Sequence, residues 1–302
     1  MAHLGTIGTK AQSASASSVA ITLTAGAPVG STVLVGIAWE SAAGSVPTIS
    51  AVTDTGGNSY STTPDVSANA GTTVAVAVLR ARVTTALNIG DSITVTITGG
   101  TRGRWAMQAD AFDDVDASSP LDKTATSTPG SSASLSSGVT SATVQAHELV
   151  YCVFGFGSGR TVTVPVGWTG GAKVETSGGS GDRALQVIHK YVNATGTQEG
   201  TLTLSSASTY AGAIETLKFT PAEPPAARIS QVKLLAPQPG DALLAKVSQV
   251  RFTVPQAVLG EVRVSQVRLK APAKAGQPPY SGIKAARDGN LWDATIQTPE
   301  ST

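Results

Sequence analysis

The sequence predicts an all-β protein: two tandem β-sandwich domains of Ig-like or jelly-roll-like type, an extended repeat-bearing β tail, and a C-terminal hairpin. Three observations predict it. Short Val/Ile/Thr runs follow one another at near-regular spacing, separated by turns bearing Gly, Asn or Pro. Helix signals are scarce in a chain dominated by Gly, Ser, Thr, Ala and Val. The order and pattern of the runs also recur, with Ile93 and Leu202 109 residues apart and Phe112 and Phe219 107 apart.

The strands expected in the first unit (1–116) are Val19–Leu23, Thr32–Trp39, Val74–Val83, Ser92–Thr98 and Ala106–Phe112. Those of the second (117–220) are Glu148–Phe156, Ala184–Val192, Gly200–Leu204 and Gly212–Phe219, after a Ser/Thr/Gly stretch, Ser118–Ser137, read as a connection. One larger sandwich, with the two halves as its sheets, is the alternative arrangement. Pro221-Ala-Glu-Pro-Pro225 opens a stiff linker over 221–227.

Residues 228–272 then carry one short segment three times: Arg228-Ile-Ser-Gln-Val-Lys233, Lys246-Val-Ser-Gln-Val-Arg251 and Arg263-Val-Ser-Gln-Val-Arg268. The copies are 18 and 17 residues apart (246 − 228 and 263 − 246), and each runs into a proline, Pro237, Pro255 or Pro272. Strand alternation places Val232 and Leu234, Val250 and Phe252, and Val267 and Leu269 on an apolar face, with Gln and a cation opposite. Three short strands with one apolar face need a partner surface, so these positions are the expected assembly interface. They serve either a meander folded on the chain's own domains or packing between identical chains. Residues 273–302 read as a Pro/Gly linker and a hairpin with Asp288-Gly289 at its turn and Trp292 as its anchor, a further interface residue.

Composition narrows the function classes. With 21 Lys+Arg against 20 Asp+Glu, the net charge is +1, and no basic run suggests nucleic acid. No apolar stretch is long enough to span a bilayer, so membrane insertion is not expected. The start has no secretory signal pattern, and the single cysteine, Cys152, sits in a strand-like apolar run, which suits synthesis in a reducing cytoplasm.

No catalytic pattern, phosphate-binding glycine loop or Cys/His metal spacing stands out among His3, His147 and His189, so neither an enzyme nor a cofactor is expected. The acidic run Asp110-Ala-Phe-Asp-Asp-Val-Asp116 offers Asp110, Asp113, Asp114 and Asp116 as weak calcium candidates; a strand end with solvated carboxylates is the favoured alternative. Asp54-Thr-Gly-Gly-Asn58 has the chemistry of a turn. Trp39, Trp105 and Trp168 read as core residues rather than a sugar platform.

Gly5-Thr-Ile-Gly-Thr9, the run Val19–Gly30 and Val52-Thr-Asp-Thr-Gly-Gly-Asn-Ser-Tyr60 resemble β-sandwich domains in minor tail proteins of tailed bacteriophages, especially those of actinobacterial siphophages. Ile283–Ala294 is similar to short modules that end many such proteins; the Ser-Gln-Val copies have no counterpart in that likeness. The resemblance implies a structural virion protein, a tail-tip or tail-fibre subunit made in the host cytoplasm. It would assemble with itself, as a homotrimer, and with other tail proteins. Host cell-wall polysaccharide is a further expected partner. A capsid decoration or head-fibre protein, and a carbohydrate-binding receptor-binding protein, are the alternatives.

Overall fold

The computed structural model describes residues 2–41, 47–98, 102–177, 181–219, 282–288 and 291–297. It divides into a body, Met1–Pro221, and a second unit, Ala222–Thr302. Every regular element among the described residues is a β-strand, and the sheets are antiparallel.

The first half of the body holds β1 (His3–Gln12), β2 (Ser18–Thr22), β3 (Thr32–Glu40), β4 (Thr48–Asp54), β5 (Val66–Ala70), β6 (Val74–Arg82), β7 (Ser92–Thr98) and β8 (Trp105–Phe112). Five of them form a sheet in the order β1-β8-β3-β6-β5, and β2-β7-β4 form a smaller one. Between the two sheets lies an apolar core that includes Val33, Val35, Ile37, Ile93, Val95 and the Trp39–Trp105 pair, ring centroids 5.7 Å apart. The small sheet alternates, as in the exposed-buried pattern of β2, because one face meets this core and the other meets water.

The second half holds β9 (Leu121–Ser127), β10 (Ser131–Val139), β11 (His147–Gly157), the short β12 (Val162–Thr163), β13 (Thr169–Gly170) and β14 (Val174–Glu175), β15 (Arg183–Asn193) and β16 (Glu199–Lys218). The strand order of the first half recurs. β9-β16-β11-β15 continues to β13 and β14, and β10 and β12 pair with the opening part of β16. One 20-residue strand, β16, thus does what β7 and β8 do separately. Its opening part covers one core and its closing part pairs with β11 and β9. Phe154, Phe156, Ile188, Leu202, Leu204 and Ile214 fill the core of this half.

A third apolar cluster joins the halves. It includes Leu34, Val76, Val78 and Phe112 from one large sheet and Leu149, Val153, Val187 and Leu217 from the other. The large sheets are therefore covered on both faces, which is why β3, β8 and β11 read as nearly unbroken buried runs. At the centre of this seam β3 and β11 lie side by side and run the same way. Gly36 sits against Val153, where a Cβ would come within 2.9 Å of a valine methyl, and Gly155 sits against Val76 and Ala38. On one flank β8 meets β15 and β1 meets β14; on the other β6 meets β16 and β5 meets β9. Each contact has its counterpart, so the halves face each other about a pseudo-twofold axis along β3 and β11.

In the second unit, β17 (Gly282–Asp288) and β18 (Leu291–Gln297) pair antiparallel with Asp288 opposite Leu291. The interface candidates Val232, Leu234, Val250, Phe252, Val267 and Leu269 lie outside the described residues. Trp292 stands in β18, opposite Arg287 in the register.

Two expectations are corrected. Ser118–Ser137 is not a plain connection, because β9 and β10 occupy most of it. Gly200–Leu204 and all but the last residue of Gly212–Phe219 belong to one continuous strand, which ends at Lys218.

Candidate functional site: a polar row between the large sheets

The acidic run does not converge on one point. Asp110 points from β8 into the seam and is 1% exposed. It accepts hydrogen bonds from the Thr6 hydroxyl (2.6 Å), the Gln108 amide (2.9 Å to one oxygen) and the Tyr151 hydroxyl (2.9 Å). Phe112 follows it two positions on, also inward. Asp113 and Asp114 turn the chain beyond β8. Asp113 accepts from the Ala2 amide, and Asp114 adopts φ 58°. Asp116 accepts from the Ser119 amide and from the hydroxyl and amide of Ser118, which hold its carboxyl below the usual range. Among the described residues no group of three or more His, Cys, Asp or Glu side chains is placed to hold a metal ion. The physical reason is strand alternation followed by an Asx-type turn: Asp110 faces inward and its neighbours serve the turn.

Asp54 and Asn58 close their own turn. Asp54 accepts from the Asn58 amide at 2.9 Å, and the Asn58 side-chain oxygen accepts from the Thr84 and Thr85 amides. Gly57 supplies the φ of 72° that the turn requires. Cys152 is fully buried, and burial raises its thiol pKa, as expected of a core residue. Trp39 and Trp105 are core, whereas Trp168 is half-buried beneath the Lys190 ammonium, 4.5 Å from the ring centroid.

What the structure does bring together was not legible in any motif. Across the first large sheet, Thr6, Asp110, Leu34 and Arg80 stand directly opposite one another on β1, β8, β3 and β6. Across the second, Thr124, Glu215, Tyr151 and His189 do the same on β9, β16, β11 and β15. These are equivalent positions in the repeated strand order. The pseudo-twofold runs them in opposite directions, so each carboxyl feels a base of the other half: Asp110 acts on His189, and Arg80 on Glu215. A signal existed only in the pairing register, since the polar members of the row sit singly in strands with no motif around them.

The electrostatics follow from enclosure. Burial, then the charge of neighbouring Asp65, pushes the Glu215 carboxyl well above its usual range, although Arg80 opposes this. Both its oxygens lack a hydrogen-bond partner among the described residues. Arg80 pairs with Asp65 at 3.2 Å. Burial, then His3, lowers the His189 imidazole to about 4, against a smaller opposing pull from Asp110. His3 stacks on Phe112 and meets His189 edge-on with centroids 4.3 Å apart. Burial and then Asp110 raise the Tyr151 phenol. The row therefore encloses titratable groups of both halves between the two large sheets, where burial is the largest cause of each shift.

A surface cleft of about 230 Å³ is lined by Arg80, Arg82, Asp116 and Pro120 among others. No known protein family, no curated protein and no solved structure matches the chain.

Proposed function

We propose that the chain is a structural virion protein, a minor tail or tail-fibre subunit that assembles as a homotrimer with other tail proteins. In this reading the halves of the body are tandem β-sandwich domains, and Val232, Leu234, Val250, Phe252, Val267, Leu269 and Trp292 form the assembly seam. The observation that carries it is repetition at two scales. The strand order of the body occurs twice, and the Ser-Gln-Val segment occurs three times in the sequence. Repeated modules suit architecture built from identical copies. The resemblance to phage minor tail domains supplies the setting.

Quantitative peptide mass spectrometry of purified particles tests the reading, with several copies per particle expected and antibody label at the tail. Absence from the particle overturns it. Label on the capsid would favour the decoration or head-fibre alternative. Retention of the purified protein on cell-wall polysaccharide, without any virion copy, would favour a separate glycan-binding role.

A further inference from the structure

Among the described residues, the large aliphatic side chains that stand exposed on the body are Leu4, Val29, Ile89, Val139, Val144 and Val166, ranging from 40% to fully exposed. Single exposed aliphatics are ordinary. Their placement is not. Leu4 lies at the start of β1, whose His3 pairs with Phe112, and Phe112 pairs with Thr32 at the start of β3. Val29 occupies the turn that enters β3, and Ile89 the turn that enters β7, tied together by the bridge of Ala27 with Leu87. Val139 and Val144 flank the entry to β11, and Val166 follows β12 as the chain turns toward β13. Because β3 and β11 run the same way, all six belong to one end of the body. Phe219, the last described residue of the body, lies there too, its amide on the His147 carbonyl.

Carboxylates stand beside these tips. Asp91 shares the turn of Ile89, Asp113 holds the Ala2 amide next to Leu4, and Glu199 pairs with Val139. Asp114, exposed, follows Asp113. The nearby cations are turned onto local partners: Arg82 onto the Val115 carbonyl, Lys218 onto the Ser119 hydroxyl, Lys123 onto Asp122 and Lys190 onto the Trp168 ring. The surface is thus aliphatic at its tips and acidic between them. Its complement is a segment that alternates aliphatic side chains with cations.

The sequence contains one. Residues 1–221 carry 11 Lys+Arg against 14 Asp+Glu, a charge of −3, and residues 222–302 carry 10 against 6, a charge of +4. Within 228–272 the cations number seven and the acids two, and each Ser-Gln-Val copy is bracketed by two of those cations. We propose that the acidic, aliphatic-tipped end of the body is a docking surface for a second copy of this chain, which offers its Ser-Gln-Val segment. Such a contact joins two different surfaces, so it propagates from copy to copy unless the rotation closes a ring. It differs from a seam in which segments meet one another.

Sedimentation velocity of the full chain over a range of concentrations tests this. Self-association is expected at about 50 mM salt and should weaken about tenfold by about 500 mM, because its charge component is screened. Ile89→Asp alters an exposed tip and should weaken association about tenfold or more with an unchanged melting temperature. Arg251→Glu and Glu199→Lys should each weaken it, and the two together in one chain should restore part of the loss. A chain that sediments as a monomer at every concentration overturns the proposal. So does association indifferent to both salt and Ile89→Asp, or a charge swap that restores nothing. These outcomes are independent of whether the chain occurs in phage particles.

Discussion

At the scale of single residues, Asp110 draws its partners from both halves of the body. It is buried, and it accepts from one amide and two hydroxyls that come from three different strands. Asp110→Asn would set an amide donor against those donors and remove the charge they stabilise. It should cost about 2–4 kcal/mol in urea unfolding, with Tyr151→Phe costing about 1. Two titrations pull in opposite directions. His189 has its pKa lowered from 6.5 to about 4, so its contribution is complete above pH 6.5 and is lost as the pH falls toward 4. Glu148 is raised from 4.5 to about 7 by burial and by Asp122, so its contribution is complete below pH 4.5 and is lost as the pH rises toward 7. His189→Gln should therefore flatten the acid side of the stability profile. Glu148→Gln should raise stability at about pH 8, by on the order of 1 kcal/mol, and change little at about pH 4. Urea midpoints at the two pH values check both. None of these roles was legible beforehand. Asp110 looked like one member of an acidic run, and only the pairing of β8 with β1 and β3 shows which carboxyl turns inward.

At the scale of elements, strands with strong hydrophobic character were readable and polar ones were not. The spans expected for β3, β7, β8 and β11 fall within a residue or so of the observed ends, because Val/Ile/Leu runs bounded by turns carry their own signal. β9 and β10 escaped because their sequences are largely Ser, Thr and Ala, and they are strands by virtue of pairing with β16. The continuity of β16 escaped for a related reason. Its middle, Ser205-Ser-Ala-Ser208, resembles a loop, yet it carries the chain from one sheet to the other. Gly212 permits the second half of that strand to approach β10: a Cβ there would stand 2.4 Å from the Ser136 carbonyl oxygen, which is backbone and has little room to yield. Gly212→Ala should destabilise the body by about 1–3 kcal/mol, and amide exchange should rise first in β10 and β16.

At the scale of the whole body, the apolar seam makes the halves interdependent. Leu34, Val76 and Val153 have no exposed area, and the large sheets have no solvent face to fall back on. Calorimetry should therefore show one cooperative transition for the body, and Leu34→Ala should lower stability by about 2–5 kcal/mol without splitting it. Two resolved transitions would show that the seam is secondary to the separate cores. The all-β class was legible from composition and spacing. The seam was not, because a residue buried between sheets and a residue buried within one half have the same sequence signature. The common end of β3 and β11 has a mechanical consequence. His3 and Lys218 both stand at that end, so the chain enters and leaves the body on one side. Tension applied through these two points would open the edge strand β1 from β8 one hydrogen bond at a time, as a zipper is opened, while the last stretch of β16 is gripped by β9 on one side and β11 on the other. A load carried through this body would therefore release its first strand long before its centre felt the pull.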